Sequence, residues 1–444
     1  MKRFSWMLVA AVLAAGMGAS SCAMSPPREK VALDGRLNCP YVPGRGGKVY
    51  LQLTIVSPKV RMHERKPVNL CVVLDRSGSM GDDRKIGNAK AALDALIDQL
   101  NEGDIFSLVI YDDVVDVLRP ACRVEDRHRL HHLVEGIQPR GWTNLGGGMM
   151  EGFAQVQRYA GRKYVNRVVL LSDGLANRGI TDPYELGRIA RRYRDCSISL
   201  TTMGVGLDYN ENLMTRLADQ GGGNYYFIES SRNLASILRK EFDMIGTIVA
   251  QNAVIDLRLG RGVRLMDVIG AEYTNADGRT RINVGDLYSG ERRELTVELD
   301  VPEGSGSMMI AQGDLRCDPV GDLALYGGSF SARARYSKDL AEVNRNRDME
   351  IQAKADVAAS TRRVEKALEA LDEGKGELAA KELYDARKDL LNSPAAAVSG
   401  VGAMIRAQEE KLNVYQQTVT DSSGNVRRAK KAIQYDNYSV QRNK

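Results

Sequence analysis

Between about Pro67 and Gly246 short apolar runs alternate with amphipathic stretches, and few folds accept that alternation. The runs LCVVLD, IFSLVIYDD, RVVLLSD, ISLTTMGVG and YYFI are strand-length. The segments between them, KIGNAKAALDALIDQL, GGMMEGFAQVQRYA, ELGRIARRYRD, NENLMTRLADQ and NLASILRKEFDMI, carry apolar residues at helical spacing. Strands and helices in turn imply a mostly parallel sheet covered on both faces by helices, the doubly wound α/β class. Local signals agree. Asp182, Pro183 and Glu185 supply an N-cap, a proline at the first helical position and a capping-box acid. VDVLRPACRV reads as an additional strand, antiparallel at the sheet edge.

The flanks follow a different rule. KVYLQLTIVSP before this unit, and AVIDLRLGRGVRLMDVIG, RTRINVG, RRELTVELDVP and SMMIAQGDLRC after it, alternate with period two and are punctuated by turn residues. They predict an antiparallel β-sandwich, residues 36–66 and 247–337, into which the α/β unit, residues 67–246, is inserted. This layout puts Cys39 and Cys317 in one domain and makes them the expected disulfide. From Lys338 the chain turns rich in Ala, Lys, Glu, Arg and Leu. Val357, Val364, Leu368 and Leu371 share one helical face, and Ala379, Leu383, Ala386 and Leu390 another, with DEGKGE between them. A helical hairpin and a third helix are expected over residues 338–416. The hairpin resembles one tetratricopeptide-like helix pair, without a second copy. The basic end, residues 417–444, reads as a solvated tail; docking to an anionic surface or to the protein's own body are the alternatives.

The first residues place Lys2 and Arg3 before a short apolar stretch and then small residues, as an export signal does over residues 1–21. The stretch is too short to span a bilayer. ASSC resembles a bacterial lipoprotein box, although Ala19 stands where that pattern favours Leu. The resemblance implies lipidation of Cys22, a tether over residues 22–35 and attachment to the cell envelope. Ala23, in place of the Asp that retains many lipoproteins at the inner membrane, favours the outer one. The formal charge of +5 drops by two when Lys2 and Arg3 leave with the signal, and so small an excess argues against nucleic acid as partner. Six cysteines in 444 residues are too sparse for a disulfide scaffold, and Cys71, inside an apolar strand, reads as a small buried hydrophobe.

The chemistry concentrates where strands end. In an open α/β sheet, ligands sit beyond the carboxyl ends of strands where strand order reverses. Asp75, Ser77 and Ser79 in LDRSGSMGDD follow one strand. Asp173 in LLSDGLAN follows another, and Thr143 in GWTNLGGGM lies in a Gly-rich loop before a helix. Two carboxylates and three hydroxyls are thereby expected on one face.

Together these three segments resemble the metal-ion-dependent adhesion site of the von Willebrand factor type A (VWA) domain, with the resemblance covering about residues 67–246. It implies a divalent cation, Mg²⁺ first and Mn²⁺ or Ca²⁺ as alternatives, because hydroxyl and carboxylate oxygens suit hard dications. In the family pattern Ser77 and Ser79 coordinate directly, Thr143 does so in the active state, and Asp75 and Asp173 act largely through water. The open coordination position then takes an Asp or Glu from another envelope or surface protein. Asp82 and Asp83 either tune the site or simply form a turn. The flanking sandwich and alanine-rich helices resemble bacterial relatives of inter-alpha-trypsin inhibitor heavy chains and calcium-activated chloride channel proteins.

The residues leave other readings weaker. SGSMG lacks the first glycine of a nucleophile elbow, GWTNLGGGM lacks the lysine of a phosphate-binding loop, and His128, His131 and His132 in HRLHH lack the acid of a zinc hydrolase motif. The expectation is a metal-dependent binding module without enzymatic activity. The alternatives are an envelope scaffold that works through its helical region and, behind it, a metal-dependent hydrolase.

Overall fold

A computed structural model describes residues 29–60, 65–276, 278–420 and 426–442; Cys22 and the expected signal lie outside them. The apolar runs of the central unit form one six-stranded sheet. From edge to edge its strands are Val115–Arg123, Ile105–Tyr111, Val68–Asp75, Val165–Ser172, Ser199–Val205 and Gly222–Ile228. All neighbours are parallel except the edge strand Val115–Arg123, which runs antiparallel. Pro120 is tolerated there because an edge strand has one unpaired side. Strands Val68–Asp75 and Val165–Ser172 are buried at every position, since helices cover both faces. From Val68–Asp75 the chain first builds outward on one side and then returns to build on the other. The order reverses between Val68–Asp75 and Val165–Ser172, and the candidate site residues follow these two strands.

The flanks build two further sheets. One orders Arg264–Ile269, Arg292–Val301, Gly47–Val56, Glu29–Leu37 and Leu325–Gly327. The other orders Tyr273–Ala276, Arg279–Tyr288, Ile248–Leu259, Ser307–Pro319, Ser329–Ser337 and Tyr41–Pro43. Each sheet takes strands from before and after the α/β unit, and the core between them is led by Leu51, Leu53, Ile55, Ile255, Leu257, Val297, Leu299 and Ile310. Strand Gly47–Val56 is buried on more than its alternate positions. Its outer face is covered by helix Met349–Asp372, from which Lys354 reaches Glu294 on the neighbouring strand.

The expected Cys39–Cys317 bridge is not formed; both thiols are free. Cys39 lies next to strand Tyr41–Pro43 and donates to the Val343 carbonyl at 3.3 Å. Tyr41 is opposite Arg335, and Arg335 is opposite Ser307, whereas Cys317 lies ten residues farther along that last strand. At about 3.3 Å per residue the two cysteines are separated by roughly 33 Å of strand. A shared domain does not bring two side chains together.

Helices Met349–Asp372 and Gly376–Leu391 form the hairpin, closed at Gly374, whose φ of +73° suits glycine. Val364, Leu368, Ala379, Leu383, Ala386 and Leu390 share one core with Ile405 and Leu412 of helix Gly402–Thr420. The basic end is not a solvated tail. Residues Val426–Gln441 form a helix wedged between the hairpin and the α/β unit. Its Ile433 enters the helical core, Tyr438 accepts a hydrogen bond from the Tyr225 backbone at 3.2 Å, and Lys430 and Lys431 pair with Glu211. The tyrosines supply an apolar face and the acids of the body neutralise the lysines. No helix among the described residues is long and apolar enough to cross a membrane.

Candidate metal centre

Strand Val68–Asp75 ends by delivering the Asp75 carboxylate, fully buried, at the order reversal. The turn folds back on it: the Ser77 N–H donates to Asp75 Oδ1 at 2.8 Å, and the Ser172 hydroxyl, from the adjacent strand end, donates to Oδ2 at 2.7 Å. Ser77 Oγ and Ser79 Oγ then lie 3.3 Å apart, and Ser79 Oγ donates to Asp173 Oδ1 at 2.8 Å. Thr143 completes the group from the third segment. A methyl group added to Gly174 would stand 3.1 Å from Thr143 Oγ1 and 3.8 Å from Ser79 Oγ, so the bare glycine keeps this space open. All five expected residues face one small volume.

Backbone contacts stitch the three segments together. Gly78 N–H donates to the Gly141 carbonyl at 3.1 Å, and Arg140 N–H to the Arg76 carbonyl at 2.7 Å. The Thr143 N–H donates to Asn177 Oδ1 at 2.9 Å, while the Asn177 N–H returns to the Thr143 carbonyl at 3.1 Å. Arg76 pairs with Asp112 at 2.7 Å, and Arg140 reaches the same carboxylate at 2.7 Å. With the backbone so fixed, the hydroxyls are presented with little freedom left to lose on binding.

Among the described residues no three His, Cys, Asp or Glu side chains cluster as a metal site. The donors here are chiefly hydroxyls, and such a set with two carboxylates fits a hard oxygen-seeking dication and excludes a soft one. The geometry also allows Ser79 to serve a cation and Asp173 together, because a hydroxyl offers a lone pair to one while donating its proton to the other.

Sequence reasoning did not single out Ser172, Asn177 or Lys85. Lys85 Nζ pairs with Asp173 Oδ2 at 2.7 Å, and its side chain is 8 % exposed. A lysine at the first position of helix Lys85–Ile97 opposes the helix dipole, and that misfit was the available signal. Asp82 and Asp83 are exposed turn residues. His131 pairs with Asp94 on helix Lys85–Ile97 and with Asp98 just past its end, while the rings of His128 and His132 lie tilted at 42° with centroids 4.6 Å apart on the exposed face of their own helix.

Burial pushes the Asp75 carboxyl from its ordinary 3.8 up to about 6, despite the opposing hydrogen bonds from Ser172 and Ser77. The folded carboxyl holds its proton more tightly than the unfolded one, so ionising it costs stability as pH rises from about 4 through 6. A dication that needs the ionised form recovers that cost. The rise in melting temperature caused by Mg²⁺ is therefore expected to be full above pH 7 and to shrink as pH falls through about 6. Thermal melts with and without Mg²⁺ from pH 5 to 8 check this, and a constant increment would sink it.

Residues 69–240 match the family model for the von Willebrand factor type A domain. Among curated proteins, the chain is 25% identical over 286 residues to the uncharacterized protein YfbK of Escherichia coli, covering 62% of this chain and 49% of that protein. It is 27% identical over 215 residues to human inter-alpha-trypsin inhibitor heavy chain H4, covering 45% of this chain and 23% of that protein. The chain thus spans about half the length of the first relative and about a quarter of the second. In fold it resembles a solved von Willebrand factor type A structure from Catenulispora acidiphila, with TM-score 0.69 and 18% identity over 94% of this chain and 98% of that one. The ArnB paralog VWA2 from Sulfolobus acidocaldarius aligns with TM-score 0.59 and 16% identity over 93% and 98%.

Proposed function

From the von Willebrand factor type A domain that residues 69–240 form, we propose a metal-dependent protein-binding module of the bacterial cell envelope. Its Mg²⁺ is held by Asp75, Ser77, Ser79, Thr143 and Asp173 and captures an Asp or Glu side chain of a partner protein. The observation that carries the reading is the convergence of these five oxygen-bearing side chains at the order reversal of the sheet. Neutral hydroxyl ligands quench little of a dication's charge, so the bound metal retains strong attraction for an anionic oxygen from outside.

The rim supports protein as the ligand class. Trp142, next to Thr143, and Leu175, next to Gly174, are both exposed, as is Val114 on the adjoining turn. The Arg178 guanidinium lies 5.3 Å from the Trp142 ring centroid and holds it in place. An acid flanked by apolar side chains fits such a surface. The helical region packs one face on its own core and on the α/β unit and leaves Leu378, Tyr384, Leu391 and Val414 exposed, so the metal face is preferred for its convergent oxygens and not for its apolar area. A hydrolase reading gains no support from the groups around Ser77: Asp75 already accepts from Ser77 N–H and from the Ser172 hydroxyl. Attachment through an acylated Cys22 would hold this face near other envelope proteins.

The test is capture from detergent-solubilised envelope by the lipidated protein. Binding is expected in Mg²⁺, release on chelation, and a loss of tenfold or more in Thr143→Ala with its melting temperature nearly kept. Membrane fractionation should be lost in Cys22→Ala. Capture indifferent to both chelator and Thr143→Ala would shift the reading to the scaffold.

A further inference from the structure

Lys85 is placed at the metal centre by an unusual piece of backbone. Asp83 and Arg84 have φ of +49° and +57°, two consecutive non-glycine residues in the left-handed region, which disfavours side chains. This corner turns the chain back so that helix Lys85–Ile97 begins with a lysine aimed at the strand ends. The Ser231 hydroxyl holds the corner by donating to the Asp83 carbonyl at 3.4 Å, and Asn88 in turn donates to Ser231 at 2.6 Å. Gly206 walls the side chain on the far side; a methyl group added there would stand 3.3 Å from Lys85 Cε. The ammonium that results is buried, 2.7 Å from Asp173 Oδ2 and 3.5 Å from the Ser79 carbonyl. Its two partners belong to candidate metal ligands.

We propose that Lys85 is a resident cation that shares Asp173 with the divalent metal, lowering the site's metal affinity and leaving the filled site positive. The inference rests on the metal-binding reading above. Without a metal, Asp75 and Asp173 in ionised form carry two negative charges and Lys85 one positive, so the site is negative by one. A dication makes it positive by one, whereas without Lys85 the same filling would end neutral. Lys85 thus weakens the hold on the metal, because two cations on one carboxylate repel, and strengthens the demand for an anionic partner group. It also stabilises the empty state by compensating a buried carboxylate. Strained backbone that positions this charge is then part of how the site is set.

Titration calorimetry with Mg²⁺ alone, on the full chain, tests this in wild type, Lys85→Met, Lys85→Gln and Lys85→Arg. The Met and Gln variants are expected to bind Mg²⁺ at least tenfold more tightly than wild type; Arg, which keeps the charge, is expected to stay within a fewfold of it. In EDTA the uncharged variants should melt below wild type and recover when Mg²⁺ is added. The Gln variant can still donate to Asp173, which keeps the test open if Met does not fold. Equal or weaker Mg²⁺ binding in both uncharged variants, with wild type binding normally, overturns the inference alone and makes Lys85 a pin for Asp173. Absence of binding in wild type and every variant overturns the metal reading, and the inference with it. Binding in the uncharged variants but not in wild type supports the inference in its strongest form.

Discussion

Arg167→Met is expected to destabilise the protein by about 3–5 kcal/mol at pH 7.5, the range for breaking a buried ion pair. Arg167 is fully buried at the start of the central strand Val165–Ser172, at the end of the sheet away from the metal centre. It joins the α/β unit to the sandwich: Nη2 pairs with Asp286 of strand Arg279–Tyr288 at 2.6 Å, and Nη1 donates to Thr201 at 2.8 Å and lies 3.5 Å from Glu241. Glu241 also accepts from Thr201 at 2.6 Å and from Asn224 and Tyr226 at 2.8 Å each. Removing the guanidinium strands two buried carboxylates.

The pH dependence separates this mechanism from a mere loss of packing. In the wild type, burial alone would raise Glu241, but the Arg167 charge and its hydrogen bonds hold it low; at Asp286 burial wins and the group is raised. With Arg167 gone, both carboxyls would bind protons more readily folded than unfolded, and the variant would gain stability as pH falls. Urea midpoints should therefore show the deficit shrinking between pH 7.5 and 5. A deficit independent of pH would reduce Arg167 to a packing element.

That this arginine matters could not be read from its position before an apolar run, because its partners lie on other elements, Asp286 some 119 residues away. The same limit governs the other surprises. The strands Val68–Asp75, Ile105–Tyr111, Val165–Ser172 and Ser199–Val205 were legible because continuous burial writes continuous apolar runs. The site segments were legible because each sits at a strand end or in a Gly-rich loop. Cys39 and Cys317 share a sandwich and are far apart, a matter of register that local pattern does not carry. Helix Arg127–Glu135 escaped notice because, with three histidines and two arginines, it buries only Leu130 and Val134. The final helix looked like a basic tail because its lysines are neutralised only by acids elsewhere, Glu211 and Asp372.

The double substitution Ser77→Ala, Ser79→Ala is expected to abolish measurable Mg²⁺ binding while leaving the fold in place. The two effects separate because of which atoms do the work. The turn is held on Asp75 by the Ser77 backbone N–H, at 2.8 Å, and alanine keeps that bond. Ser79 Oγ does bond Asp173 at 2.8 Å, and its loss costs on the order of 1–3 kcal/mol, but Lys85 still compensates that carboxylate. The cation loses more. With both hydroxyls gone, the expected donors left are Thr143 Oγ1 and the carboxylates of Asp75 and Asp173, and Asp75 already accepts from Ser77 N–H and the Ser172 hydroxyl. Mg²⁺ requires near-octahedral oxygens at close range and surrenders its waters reluctantly, so half a site does not hold it. Calorimetry on the double variant should give no Mg²⁺ heat under conditions where wild type saturates, with a melting temperature in EDTA only slightly below wild type. Undiminished binding would remove Ser77 and Ser79 from the coordination sphere, and the three-segment convergence would then have to be explained without a metal.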